Sequence, residues 1–281
     1  MTLSKVLVFA DASEDGLARL AIAAKIAETE GAALEAQVIA LAPQPPYGVG
    51  SAAMADVYGD ARAGAHSAGA VVAARVRGAG EKLTKTLTVE QQDVVQSDLR
   101  ARAAALAQAA DLVVLGQPES QDRSDIDSEV LVGALLGGGR PILMLPRWPS
   151  AHPWGKRAVI AWKGAPQAAR AVHAATPFLK RADVARMVVV DGRGDYFGEG
   201  PASVGRMAAH LARQGVKLEQ PTFRTSVMGE AGPEILSEVE SMGADLLVMG
   251  GYGRARMAEI VFGGVTRDII RKSPVPVLLS H

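Results

Sequence analysis

One seven-residue phrase occurs twice in this chain with two conservative changes, and it constrains the fold more than any other feature. Ala110-Asp111-Leu112-Val113-Val114-Leu115-Gly116 parallels Ala244-Asp245-Leu246-Leu247-Val248-Met249-Gly250. Each copy has a later echo, Pro141-Ile142-Leu143-Met144 in one and Pro276-Val277-Leu278-Leu279 in the other. Each also has an earlier one: Lys5 to Ala10 followed by Asp11-Ala12-Ser13 parallels Arg157 to Trp162 followed by Lys163-Gly164-Ala165. Three matches in the same order argue for duplicated domains, 1–147 and 155–281. The stretch between them, Arg147-Trp148-Pro149-Ser150-Ala151-His152-Pro153-Trp154-Gly155, reads as a linker, because proline fixes the backbone and cannot continue regular structure.

Within each copy, short apolar runs alternate with helical patterns. The first copy opens with strand Val6 to Phe9. Ser13 is placed to cap a helix whose first turn carries Glu14 and Asp15, where the helix dipole favours acids. Leu17, Leu20, Ala21 and Ala24 mark its inner face, and Gly31 ends it. Further strands are expected at Leu34–Leu41 and Thr84–Glu90, with a helix from a Ser97 cap to Ala109. Pro43 to Gly69 shows no strong periodicity and reads as a long loop running into a helix near Val71-Val72. The second copy gives strands Ala158–Trp162, Val184–Val190 and Val216–Phe223. Its helices begin near Pro166, Pro201 and Pro233. The expected class is α/β: two tandem, doubly wound, parallel-sheet domains of Rossmann-like type. The terminal runs Ile142–Leu145 and Val277–Leu279 could pair with each other and cover two sheet edges, as an intramolecular pseudo-dimer.

The chemistry is concentrated between Asp245 and Thr266. Leu246 to Met249 is an unbroken apolar run, as a strand buried on both faces requires. Gly250, Gly251 and Gly253 let the backbone turn and approach a ligand. Gly263 and Gly264 open a last helix, whose unpaired N–H groups would attract a phosphate. On glycine spacing alone, a turn that merely packs tightly is an equal alternative. The corresponding stretch of the first copy carries Glu119, Asp122, Asp125, Asp127 and Glu129 against Arg123, which would repel an anion. The second copy offers Arg254, Arg256 and Arg267 against Glu259 and Asp268.

The order Gly250, two residues, Gly253, nine residues, Gly263 resembles the nucleotide loop of the universal stress protein family, and Ser273 to Leu279 resembles that family's closing strand. The resemblance implies two universal-stress-type domains, the first with a degenerate loop. It implies ATP or AMP bound in the second, beside Met249, Gly250, Gly253, Arg254, Gly263, Gly264, Val265 and Thr266. Trp162 and Lys163 would follow the first strand of that domain, and Val190 or Asp191 would meet the base. Two positions depart from the family pattern. Lys163 stands where an aspartate is usual, an acid that the first copy keeps as Asp11. Gly264 stands where Ser or Thr is usual.

Composition excludes other classes. Thirty Lys+Arg balance thirty Asp+Glu, so no net field recruits nucleic acid or membrane. Without cysteine there is no disulfide or thiol chemistry. The apolar run after Lys5 is too short for a leader or a membrane span, which points to the cytoplasm. The five histidines are scattered without metal-ligand spacing, and nothing names a metal. Neither a Walker pattern nor a G-x-S-x-G elbow is present. Three readings follow. The first is a regulatory protein binding an adenine nucleotide. The second is a ligand-free scaffold acting through protein contacts, with a homodimer left open. The third is a weak ATPase, which the lack of a carboxylate pair beside Gly250 places last.

Overall fold

A computed structural model describes residues 3–45, 52–119, 125–147, 154–191, 200–227, 229–251 and 264–281. The chain forms two compact α/β units. One comprises Leu3–Gly138, and the other Gly139–Pro146 with His152–His281.

The first unit is built from β1 (Lys5–Phe9), α1 (Glu14–Glu30), β2 (Ala33–Ala42), α2 (Ala52–Gly80), β3 (Leu87–Val95), α3 (Leu99–Gln108), β4 (Leu112–Gly116) and α4 (Ile126–Gly137). Its strands lie in the order β3-β2-β1-β4, all parallel. Ser13 caps α1 by accepting from the Gly16 N–H at 3.0 Å, and Gly31 closes the helix in the left-handed region at φ 68°. The inner face of α1 is rotated from the expected one. Leu20, Ala23, Ala24 and Ala27 are buried, whereas Leu17 and Ala21 are only half-buried.

Three expectations need correction here. The stretch read as a loop as far as Gly69 is, from Ala52 onward, a single helix of 29 residues. Alanine supplies helix propensity there without writing an apolar period, because much of the helix faces solvent. β3 runs later than expected, ending at Val95. Ser97 lies inside a 3-10 turn, Gln96–Asp98, that leads into α3 rather than capping it.

The second unit contains β5 (Ile142–Leu145), β6 (Arg157–Ala161), α5 (Pro166–Arg181), β7 (Val184–Val190), α6 (Gly200–Arg213), β8 (Thr222–Arg224), α7 (Ala231–Met242), β9 (Leu246–Gly250), α8 (Gly264–Lys272) and β10 (Val277–Ser280). The order is β5-β10-β9-β6-β7-β8. The five strands β6 to β10 are mutually parallel, and β5 pairs antiparallel to β10 through Val277↔Met144, Leu278↔Leu143 and Leu279↔Ile142. The two terminal runs therefore do pair. By that pairing β5, which lies in the first sequence copy, joins the compact unit of the second and covers the free edge of β10. β8 is shorter than the run from Val216 suggests. Pro221 lacks the N–H a ladder needs, and Leu218 makes only an isolated bridge to Ala185.

Val159, Ile160, Leu247, Val248 and Leu278 are fully buried at the centre of this unit. Each buried aliphatic side chain contributes roughly 1.5–3 kcal/mol. Among the described residues, no helix is long and apolar enough to cross a membrane.

Candidate functional site

The strand order of the second unit reverses at one place. From β6 the chain proceeds outward to β7 and β8, then returns to lay β9 on the other side of β6. In an open parallel sheet such a switch point leaves a crevice at the carboxyl ends of the strands, where ligands bind. The register sets Ala161 level with both Met249 and Val188. Hence Trp162 and Lys163 after β6, Asp191 after β7, and Gly250 and Gly251 at the end of β9 emerge along one edge.

Each of these residues has a distinct environment. Trp162 is buried, its backbone N–H donates to Val188 O at 2.9 Å, and its Nε1 donates to Ser203 Oγ at 3.0 Å. The indole is thus committed to α6. Lys163 is exposed, and Gly164 behind it turns the chain at φ 59°. Val190 is half-buried. Met249 is buried beneath the crevice. Gly250 admits no side chain, because a Cβ there would lie 2.6 Å from Ala168 N and 2.8 Å from the Gln167 carbonyl carbon. The start of α5 is pressed against the end of β9 at that point. The Gly251 N–H donates to Ser280 O at 2.8 Å.

α8 starts at Gly264, which is exposed. Val265 is half-buried, and Thr266, Ile269 and Ile270 face inward. A Cβ on Gly264 would meet nothing within 4 Å among the described residues. Gly253, Arg254 and Gly263, expected at the phosphates, lie outside the described residues, as does Arg256.

Asp191 adopts φ 54°, a left-handed conformation that asparagine and aspartate tolerate better than most side chains. Its N–H donates to Arg224 O at 2.9 Å. Its carboxylate accepts from the Ser226 N–H at 2.7 Å and from Ser226 Oγ. The Ser226 hydroxyl first, then its N–H, with Lys163 adding a positive field, hold this carboxyl below the usual range. Behind it stands a network that the sequence did not disclose. Glu238 of α7 is buried and accepts from Arg186 Nη1 at 2.9 Å, Arg224 Nε at 2.8 Å and Thr222 Oγ1 at 3.1 Å. Burial alone would push Glu238 up, but the hydrogen bonds from Arg186, Arg224 and Thr222 outweigh it and hold the group low. One helix thereby clamps the β7–β8 edge that carries Asp191.

The first unit has its own switch point, between β1 and β4, and there the space is filled. Arg19 reaches from α1 and is almost wholly buried. Its Nη2 donates to Asp11 Oδ2 at 3.1 Å, and its Nη1 lies 3.6 Å from Asp127 Oδ1. A Cβ on Gly116 would overlap the guanidinium. Asp11 also accepts from the Ser13 N–H at 2.7 Å, and Asp125 caps α4 by accepting from the N–H groups of Asp127 and Ser128. Burial, ahead of the opposing pull of Arg19, pushes Asp127 up. The acids read as an anion-repelling loop therefore also anchor an internal cation. Arg19 was overlooked, although a signal was present: a lone charge at i+3 from Gly16 and i−4 from Ala23, on the buried face of an amphipathic helix.

Residues 155–281 match the model of the Universal stress protein family. Universal stress protein MJ0577 of Methanocaldococcus jannaschii is 40% identical over 66 residues, which is 22% of this chain and 41% of that protein. Universal stress protein Slr1230 of Synechocystis sp. is 31% identical over 97 residues, 34% of this chain and 32% of that protein. The matches thus span less than half the length of either relative. The crystal structure of a universal stress protein from Archaeoglobus fulgidus superposes with a TM-score of 0.67 over 100% of this chain and 96% of its own, at 18% identity. That likeness concerns the fold.

Proposed function

We propose, for a chain that belongs to the universal stress protein family through its residues 155–281, that the second unit binds an adenine nucleotide and that this binding serves regulation rather than turnover. The observation that carries the reading is the contrast between the two switch points. One is plugged by Arg19. At the other, the described end of β9 carries Gly250 and Gly251, and α8 begins with a residue that has no side chain. A phosphate at the start of α8 would meet the backbone N–H groups of its first turn and the positive end of the helix dipole. Asp191 and Lys163 flank the nucleoside end, one strand away.

On this reading the ligand is ATP or AMP, held by Met249, Gly250, Gly264, Val265 and Thr266, with Gly253, Arg254 and Gly263 closing the loop. The chain is a tandem of two related domains, acts in the cytoplasm, and presents its bound nucleotide to protein partners or to a second copy of itself. Trp162 supports the crevice wall from behind.

Thermal-shift titration of the full chain with ATP, ADP and AMP tests this. A ligand bound only by the folded state raises apparent stability by about 2.7 kcal/mol at a hundred times its Kd. A melting temperature that stays constant up to millimolar nucleotide would remove the proposal.

A further inference from the structure

Asp191 is the one residue other than glycine with positive φ among the described residues. A side chain held in that region, with both carboxylate oxygens already oriented, is a fixed acceptor. Its backbone N–H is tied to β8 through Arg224 O at 2.9 Å, and its two oxygens are tied to Ser226. Each carboxylate oxygen has a second lone-pair direction beyond the bond it already accepts. Asp191 is exposed, so those directions are not lost in the core.

Its place in the sheet gives the carboxylate a use. It directly follows β7, the strand next to β6 on the side away from the switch point. In doubly wound nucleotide-binding sheets, an acid in this region accepts hydrogen bonds from ribose hydroxyls while the phosphates sit at a helix start. Here the segment after β6 carries Lys163, and the segment after β9 begins with Gly250 and Gly251. The described residues directly following β6, β7 and β9 therefore include a single carboxylate, that of Asp191.

We propose that the Asp191 carboxylate, oriented by Ser226, accepts from the ribose hydroxyls of the bound nucleotide and makes the site selective for ribonucleotides. This rests on the nucleotide reading above and adds a recognition element to it. Ser226 is a positioning residue, and Asp191 is the contact. The low-lying ionisation of Asp191 agrees with an acceptor that stays charged at neutral pH.

Calorimetry on the full chain with ATP and with 2′,3′-dideoxy-ATP tests the assignment. Hydroxyl groups bonded to a charged acceptor predict that ATP binds about tenfold or more tightly than the dideoxy compound. Asp191→Gly removes the carboxylate and suits the positive φ, so it should stay folded and bind the two nucleotides within about threefold of each other. Ser226→Ala frees one oxygen and should give an intermediate ratio. Equal affinities in the wild type overturn the proposal and leave the nucleotide site standing. An unchanged ratio in Asp191→Gly does the same. If the wild type binds neither compound, the nucleotide reading itself is overturned, and this inference falls with it.

Discussion

Replacing Gly264 by serine should tighten ATP binding. Gly264 is the first residue of α8, its φ lies outside the left-handed region, and a Cβ built on it meets no described atom within 4 Å. Serine therefore avoids the roughly 1–2 kcal/mol that a side chain costs in left-handed backbone. Its hydroxyl would stand beside the backbone N–H groups of the helix start and donate to a phosphate oxygen. A hydrogen bond to a charged group contributes about 1.5–3 kcal/mol net. At 1.4 kcal/mol per decade, that amounts to about tenfold to a hundredfold in Kd. Isothermal calorimetry of ATP into wild type and Gly264→Ser reads the difference directly, and AMP, whose single phosphate reaches less far, should gain less. An affinity that is unchanged or weaker, in a variant that melts at the wild-type temperature, would mean that the phosphates do not lie against α8.

Other substitutions report on the framework. Arg19→Ala should destabilise the first unit by about 1–3 kcal/mol in urea unfolding, because it strips Asp11 and Asp127 of their shared cation. A change below a few tenths would show that the ion pairs contribute little. Glu238→Gln should cost about 2–4 kcal/mol by leaving Arg186 and Arg224 half-partnered. The same carboxylate sets an acid limit. Its folded value lies below the ordinary 4.5, so its stabilisation is present above about pH 4.5 and is lost as pH falls through the lower folded value. In Glu238→Gln that part of the acid sensitivity should vanish from a pH series of unfolding curves. Gly250→Ala should destabilise by about 1–3 kcal/mol, since its Cβ meets the backbone of Gln167 and Ala168 rather than a movable side-chain tip.

Much of this was legible in the sequence, and the reasons differ by element. Leu246 to Met249 announced a buried strand because both faces are covered and polar residues are excluded. Ser13 and Gly31 bracketed α1 because caps act locally. Only the part of α2 near Val71-Val72 was foreseen, because an exposed alanine-rich helix writes no apolar stripe. The partner of β5 was suggested by symmetry between the copies, but its membership in the second unit follows only from the pairing with β10. At the crevice, Gly250 was placed by the strand it ends, whereas Gly253 and Gly263 lie outside the described residues. Arg19 plugging the first switch point was not, because its partners, Asp11 and Asp127, are 8 and 108 residues away. The Glu238 network stayed hidden for the same reason: β7, β8 and α7 must all be in place before its charges meet.

The central claim is that the switch point of the second unit binds a nucleotide and that of the first does not. Calorimetric titration of ATP into the full chain, alongside the Gly264→Leu variant, tests it most directly. The account predicts one nucleotide per chain in the wild type, and loss of that site when a bulky side chain fills the start of α8. Two nucleotides per chain, or a single site that survives in folded Gly264→Leu, would contradict it.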